Sequence, residues 1–358
     1  YNLLYPRNSH LPSTYNYITN QKIHDINNSC YIDCFFSFIV GNLKDQNKNP
    51  SFPEYYGSIN GISKHKLDIT EDIQEIESYE CFQKGLHGIY DINVYTDDET
   101  KINDKQTSIS NSTDNSDDSD DSEDDYIVEF KKIPVLCIFM EKLDGTLEDL
   151  LTPDSFDVDL YISMLFQITF ALAYLQKHFQ FIHNDLHINN IMYIKTDLEY
   201  LYYQLEGEYY RVPTFGYIFK IIDYGRSIFT YHKHEFINDS FLQHGEADTQ
   251  YKIKDKHILN KNFSFDLCRL STTILDELND FDESFDSNPM YIQFVELLLH
   301  ILKDEQDEYI YDGTDNSFQL YVDITDKAVN GIPKDVLKNE IFHKLISEKI
   351  NTHYYSLN

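Results

Sequence analysis

Two short stretches constrain this chain more than anything else in it. They are Phe181-Ile182-His183-Asn184-Asp185-Leu186-His187-Ile188-Asn189-Asn190-Ile191-Met192 and Lys220-Ile221-Ile222-Asp223-Tyr224-Gly225. In the first, Asp185 and Asn190 stand five residues apart in an H-x-D-L-x-x-x-N frame. In the second, Asp223 ends an apolar run and is followed by an aromatic residue and a glycine. Taken singly, each has a plain reading: H-x-D-L arises by chance, and Asp and Gly are favoured turn residues. Taken together, in this order, with strand-like apolar residues ahead of each and a long helical pattern upstream, they read as one site.

Phosphoryl transfer explains the spacing. It asks little covalent work of a protein, so catalysis reduces to positioning and to neutralising charge on the transferring group. Asp185 would accept or orient the attacking hydroxyl, while the Asn190 side-chain carbonyl and the Asp223 carboxylate would hold Mg²⁺ against the phosphates of ATP. Hard oxygen ligands suit that ion. His187 could donate one hydrogen bond near the leaving phosphate, but it carries full charge only below about pH 6.5; its plain reading is a structural loop histidine.

At 358 residues the chain exceeds what one hydrophobic core usually serves, so two lobes around a cleft are expected. A formal net charge of −32 argues against a nucleic-acid backbone and against anionic membrane surfaces as partners. Much of that charge is local: from Asp97 to Asp125 there are twelve acidic residues against Lys101 and Lys105, with serines interleaved. Such a stretch cannot bury enough apolar surface to offset its ordering entropy and is expected to be a disordered surface loop. A target for phosphorylation at Ser116, Ser119 and Ser122 is the minority view. The five cysteines are scattered with no C-x-x-C pair, which suits a reducing compartment. Cys30 and Cys34 share a face if their segment is helical, yet no further ligand completes a zinc set. No membrane-spanning run or signal peptide is expected.

Along the chain, Tyr31 to Leu43 has helical apolar spacing and is followed by a breaker-rich loop, then by a strand from Phe52 to Ile59. Ile133 to Met140 is an apolar run of strand length. After Asp157, Tyr161, Leu165, Ile168, Leu172 and Leu175 recur at steps of four and three, predicting a long core helix. Tyrosine-rich segments from Glu199 to Leu205 and from Glu208 to Val212 flank a Glu206-Gly207 turn and predict a hairpin. From Gly225 to about Asn262 periodicity is poor, and His232, His234 and His244 match no standard metal site. A helix opens near Phe263, and Pro289 to Leu302 and Lys334 to Ile350 have apolar faces at helical spacing, for example Ile292, Val295, Leu299 and Leu302.

These residues resemble protein kinases, and in particular those encoded by giant, nucleocytoplasmic large DNA viruses. The likeness runs through Ser29 to Phe38, Tyr56-Gly57-Ser58, Met140 to Leu147, the His183 to Met192 loop, Val212 to Gly216 leading into Asp223 to Ser227, and Ser264 to Leu270. It implies an α+β, bilobal kinase-like fold: a small β-rich N lobe over residues 1–139, carrying the acidic insert 97–125, then the hinge and a larger, mainly helical C lobe over residues 140–358. It further implies that Tyr31 to Leu43 is the single helix of the upper lobe and that Met140, Glu141 and Leu143 form the hinge. Backbone groups of Glu141 and Leu143 would pair with the adenine edge, and a helix would begin near Thr146. Asp266 would anchor the backbone of the catalytic loop, and the stretch from Gly225 to Asn262 would be the activation segment. Asn184 stands where many kinases have an arginine that reads an activation-segment phosphate, so switching by that route is not expected.

The pattern departs from the family in two places. The Ala-Pro-Glu motif before the Asp266 helix is missing, and the first glycine is Gly41, so no glycine-rich loop precedes the expected upper-lobe helix. The loop and its lysine-bearing strand therefore either precede Tyr1 in the natural protein or are lost. Lys22 and Asp33 are the available lysine and helix acid, each as readily an ordinary exposed charge. The expectation is ATP- and Mg²⁺-dependent phosphorylation of serine or threonine in protein substrates, in the host-cell cytoplasm, with packaging into virions and contact with virion components beside it. Two alternatives stay open: an impaired pseudokinase scaffold, and a small-molecule phosphotransferase of the aminoglycoside or choline kinase type, whose H-x-D-L-H-x-x-N loop His187 fits.

Overall fold

The long apolar pattern after Asp157 becomes the helix Val158–Phe179. It belongs to a computed structural model that describes residues 24–70, 90–95, 101–102, 125–153, 156–243, 245–279, 288–311, 313 and 318–357. The Asp157 side chain caps the helix by accepting from Asp159 N at 3.0 Å, and Gln180 closes it in the left-handed conformation at φ 49°. Every residue from Leu160 to Leu175 is buried. A helix apolar on all sides belongs in a core. By length and composition it could cross a bilayer, yet its apolar window is 94% buried inside the protein.

The fold is mixed α/β, with small sheets and several helices, and is compatible with a kinase-like fold. It divides into two compact units. One, within Ser58–Cys137, holds most of a four-stranded sheet whose strands run in the order Tyr55–Asp68, Asp125–Met140, Tyr90–Tyr95, Lys101–Ile102. The strand expected at Phe52 to Ile59 starts later, at Tyr55, and runs on to Asp68, and the one expected at Ile133 to Met140 starts earlier, at Asp125. Lys101–Ile102, inside the acidic stretch, pairs with Val94–Tyr95. The remainder of that stretch up to residue 124 lies outside the described residues.

The other unit comprises the described parts of Asn8–Gly57 and Ile138–Asn358. The helix expected over Tyr31 to Leu43 spans Ser29–Asp45, with the Asn28 side chain accepting from Cys30 N at 3.0 Å. It falls in this unit, with residues expected to form the C lobe. A Cβ on Gly41 would stand 2.5 Å from Tyr55 Cβ, so only glycine lets helix and strand approach this closely. Phe36 on the same helix stacks on Phe181 with ring centroids 4.5 Å apart.

Several expectations need correction. No helix begins near Thr146: Gly145–Thr146 pairs with Tyr193 and Met192, Leu147 N donates to Ile191 O at 2.7 Å, and only the single turn Glu148–Leu150 follows. On the helix Pro289–Ile301 the buried face is Tyr291, Phe294, Leu297, Leu298 and Ile301, while Ile292 is 40% exposed. Two apolar stripes at helical spacing lie side by side there, and periodicity alone does not choose between them. The helix expected over Lys334 to Ile350 reduces to Pro333–Val336 and the 3-10 stretch Glu340–Leu345, separated where Asn339 caps the second piece. The hairpin around Glu206-Gly207 forms as expected, Tyr200–Leu205 against Glu208–Pro213, with positive φ at both turn residues (50° and 96°). The stretch from Gly225 to Asn262 is more regular than expected, containing the hairpins Ile228–Tyr231/His234–Ile237 and Ile253–Lys254/His257–Ile258.

Candidate active site

The candidate catalytic loop, His183 to Met192, is built on one buried carboxylate. Asp266, in the first turn of the helix Phe265–Leu278, is fully buried and accepts from His183 N (3.0 and 2.9 Å) and from Asn184 N (3.0 Å). Burial pushes its pKa up, while the His183 charge and these backbone donors oppose that. His183 Nε2 lies 2.9 Å from Ile222 O and must carry the proton there, because a carbonyl only accepts. The loop is thereby tied both to the helix below it and to the strand that carries Asp223.

Strand pairing sets Asn190 beside Asp223. Ile191 is in register with Ile221 in the antiparallel pair Ile191–Lys195/Tyr217–Ile221, and Ile222 N donates to Asn190 O at 3.1 Å. The Asn190 amide is oriented by its partners: Nδ2 donates to the Asp185 carbonyl at 2.8 Å and faces His187 Nε2 at 3.1 Å. Its Oδ1 makes no hydrogen bond among the described residues and remains an acceptor. Asp223 is exposed, holds φ at 61°, and accepts from Gly225 N on Oδ1 at 3.2 Å.

Tyr224 turns the opposite way from Asp223 and is buried beneath the Ser29–Asp45 helix. Its ring meets Phe36 at 5.1 Å, its hydroxyl donates to Ile221 O at 2.7 Å, and its backbone N–H donates to Asp33 Oδ1 at 3.0 Å. Asp33, read from sequence as an ordinary helix charge, is therefore a brace for the Asp223 turn. Burial first, and then the Asp223 charge, push its carboxyl up to about 6.

The contacts of His187 are all within its own loop. Nδ1 lies 3.3 Å from Asn189 N, and Nε2 faces the Asn190 amide. A neutral imidazole accepts at one ring nitrogen only, so His187 accepts from one of these two N–H groups, and a protonated ring would accept from neither. Burial accordingly holds its pKa below the usual histidine value. It acts as a brace for Asn190.

Asn184 sits at φ 65° and links the loop to the segment after Gly225: its Nδ2 donates to Arg226 O at 3.1 Å, and its Oδ1 accepts from the Tyr251 hydroxyl. Neutral hydrogen bonds occupy both ends of the Asn184 amide. Asn238 adds a second link, donating to Gly225 O and to Ser29 Oγ.

In the segment expected to be the hinge, Glu141 N donates to Glu54 O at 2.9 Å and Asp144 N to Tyr193 O at 2.9 Å. The Glu141 carbonyl and both backbone groups of Leu143 make no hydrogen bond among the described residues. Met140, with Ser37, Val40, Glu54, Ile222 and Tyr224, lines a small cleft. Beneath the hinge lies a residue that sequence reasoning gave no role, Lys220. It is fully buried, pairs with Glu141 Oε2 at 3.0 Å, and donates to Pro50 O (3.2 Å) and Phe52 O (3.0 Å). Three ammonium hydrogens thus meet three acceptors. Burial lowers its pKa, and Glu141 works against that. The signal was available: a lysine inside an apolar strand is seldom accidental. Lys22 lies outside the described residues.

The donor set fits magnesium. Mg²⁺ is commonly held by one or two protein oxygens together with substrate phosphates and water, and Asn190 Oδ1 and the Asp223 carboxylate are such a pair. Among the described residues no three His, Cys, Asp or Glu side chains gather as an all-protein metal cage. His232 and His234 lie at a hairpin, edge-on to Tyr231 (4.3 Å) and Phe236 (4.7 Å) respectively, and His244 is outside the described residues.

No protein-family model matches the chain. Over 99 residues, 25% of its length, it is 35% identical to the serine/threonine-protein kinase haspin of Bos taurus. Over 91 residues, 23% of its length, it is 36% identical to a probable serine/threonine-protein kinase of Dictyostelium discoideum. Over 75 residues, 20% of its length, it is 39% identical to an uncharacterized protein of Invertebrate iridescent virus 6. The chain spans only 12%, 8% and 12% of those proteins. These partial likenesses support a kinase-like chain, related at a distance to serine/threonine kinases, and assign it to no viral type.

Proposed function

We propose that this chain transfers the γ-phosphoryl group of ATP to serine or threonine hydroxyls of protein substrates. The observation that carries the reading is the orientation of Asn190. One bonded network spends its amide hydrogens on Asp185 O and His187, keeps its carbonyl oxygen available, and joins it by strand pairing to the turn that displays Asp223. Bound at Asn190 Oδ1 and Asp223, Mg²⁺ would supply neutralisation of phosphate charge. The acceptor oxygen bonds to the γ-phosphorus as the bond to the β–γ bridging oxygen breaks, ADP departs with that electron pair, and the hydroxyl proton passes to Asp185. The unpaired Glu141 carbonyl and Leu143 backbone groups offer one acceptor and a donor–acceptor pair to an adenine edge. The partial likeness to serine/threonine kinases supports protein as the acceptor.

The test is incubation of the protein with γ-labelled ATP, Mg²⁺ and dephosphorylated casein, followed by phosphoamino-acid analysis. Label on serine or threonine that is lost in Asp185→Asn supports the reading. No Asp185-dependent label on protein, or label only on a small alcohol or aminoglycoside, rejects it.

A further inference from the structure

Asp185 does not stand alone in the site. The Tyr321 hydroxyl, on the helix Phe318–Lys327, donates to Asp185 Oδ1 at 2.9 Å, and Arg226 Nη1 lies 3.9 Å from the same oxygen. We propose that Tyr321 is a positioning residue for Asp185, fixing the carboxylate through Oδ1 so that Oδ2 receives the proton of the acceptor hydroxyl. This inference rests on the phosphotransferase reading and adds a residue to it.

The surroundings of Tyr321 make its hydroxyl a donor with a single outlet. Arg269 Nε lies 3.3 Å from the phenol oxygen, which therefore accepts from arginine and has its own proton left for Asp185. Arg269 is itself held, Nη1 donating to Thr272 Oγ1 at 2.8 Å. Burial raises the Tyr321 pKa further, so the hydroxyl keeps its proton. The ring has little freedom: Phe318 stacks on it at 5.6 Å with an 8° interplanar angle, Phe265 packs at 6.0 Å, and the Arg269 guanidinium lies 5.1 Å from its centroid.

Phe265 and Arg269 belong to the helix that also supplies Asp266. One helix thus fixes the backbone of the catalytic loop through Asp266 and, through Tyr321, the side chain that the loop presents. Sequence reading gave the 318–327 segment no role, because nothing in its pattern ties it to a loop more than 130 residues earlier.

The same contact has a rival meaning, that the Tyr321 hydroxyl occupies the place of an acceptor and blocks the site. Steady-state kinetics of Tyr321→Phe with γ-labelled ATP, Mg²⁺ and casein separates the two. The expected result is a fall in kcat of about tenfold or more, the scale of a lost hydrogen bond to a charged group, with KM for ATP unchanged and the variant fully folded at the assay temperature. Arg269→Lys, which leaves the Tyr321 ring in place and removes the Nε contact, should lower kcat less and in the same direction. An unchanged or raised kcat in Tyr321→Phe, an effect confined to KM for ATP, or a loss that merely tracks unfolding overturns the inference. Wild-type protein that transfers no phosphate would reject the phosphotransferase reading itself, and this inference with it.

Discussion

The catalytic loop and the hinge are each held from below by one fully buried charged side chain, and the two charges have opposite sign. Under the loop, Asp266 accepts from two backbone N–H groups, those of His183 and Asn184. Under the hinge, Lys220 donates to two backbone carbonyls and to the Glu141 carboxylate. A buried charge left unmatched is costly, so each forces the surrounding backbone into one arrangement. The difference is that Asp266 takes its hydrogen bonds from backbone N–H groups alone, whereas Lys220 is also paired with a carboxylate side chain. The loop's anchor should therefore fail outright when cut, while the hinge's anchor can be replaced as a pair.

Asp266→Ala is expected to have the largest effect. It strands buried N–H donors, each costing about 1–3 kcal/mol, and it frees the loop that carries Asp185. Chemical denaturation should show a loss of about 2–6 kcal/mol for the two stranded donors, with phosphate transfer abolished. Lys220→Met comes next, about 3–5 kcal/mol, because it leaves the Glu141 carboxylate without its cation. The double variant Lys220→Met/Glu141→Leu should recover much of that loss, since exchanging a buried pair for apolar residues is often close to neutral. No recovery in denaturant melts would show that the carbonyls of Pro50 and Phe52 dominate the anchor.

Asp33 extends the comparison to a carboxylate matched only in part. It accepts from Tyr224 N and Ser37 Oγ, and its pKa stands near 6 against 3.8 for the unperturbed group. The folded protein therefore binds this proton more tightly than the unfolded chain does. Its contribution to stability is intact below about pH 4, is lost as pH rises towards 6 and is flat above that. In metal- and nucleotide-free protein, Asp33→Asn should remove this slope and raise the thermal midpoint at pH 8 relative to wild type. An equal slope in both proteins would contradict the assignment. The smallest effect is expected from Tyr251→Phe, about 1 kcal/mol for one hydrogen bond to Asn184, seen as a small shift in the denaturation midpoint.

The loop was legible in the sequence and the hinge's support was not, for a physical reason. Asp185, Asn190 and Asp223 are constrained by chemistry to fixed residue types at short spacing, and the Asp266 helix start carried the same kind of signal. Lys220 and Tyr321 act through contacts far apart in the chain, Lys220 reaching Pro50 and Tyr321 reaching Asp185, which no local pattern encodes. His187 was legible in identity and not in its contacts, because only the geometry shows both ring nitrogens turned toward Asn189 and Asn190. The core helix Val158–Phe179 was visible as periodicity, while the buried face of Pro289–Ile301 was misplaced where two apolar stripes adjoin.

The central claim is that the catalytic loop and the Asp223 turn together form one oxygen site for a metal–nucleotide complex. Calorimetric titration of ATP into wild-type protein and into Asp223→Asn, each with and without Mg²⁺, tests it most directly. The account predicts that Mg²⁺ strengthens ATP binding in wild type and that the Asp223→Asn variant loses most of that gain while staying folded. Binding that is indifferent to Mg²⁺ in wild type, or a gain that survives intact in Asp223→Asn, would contradict it.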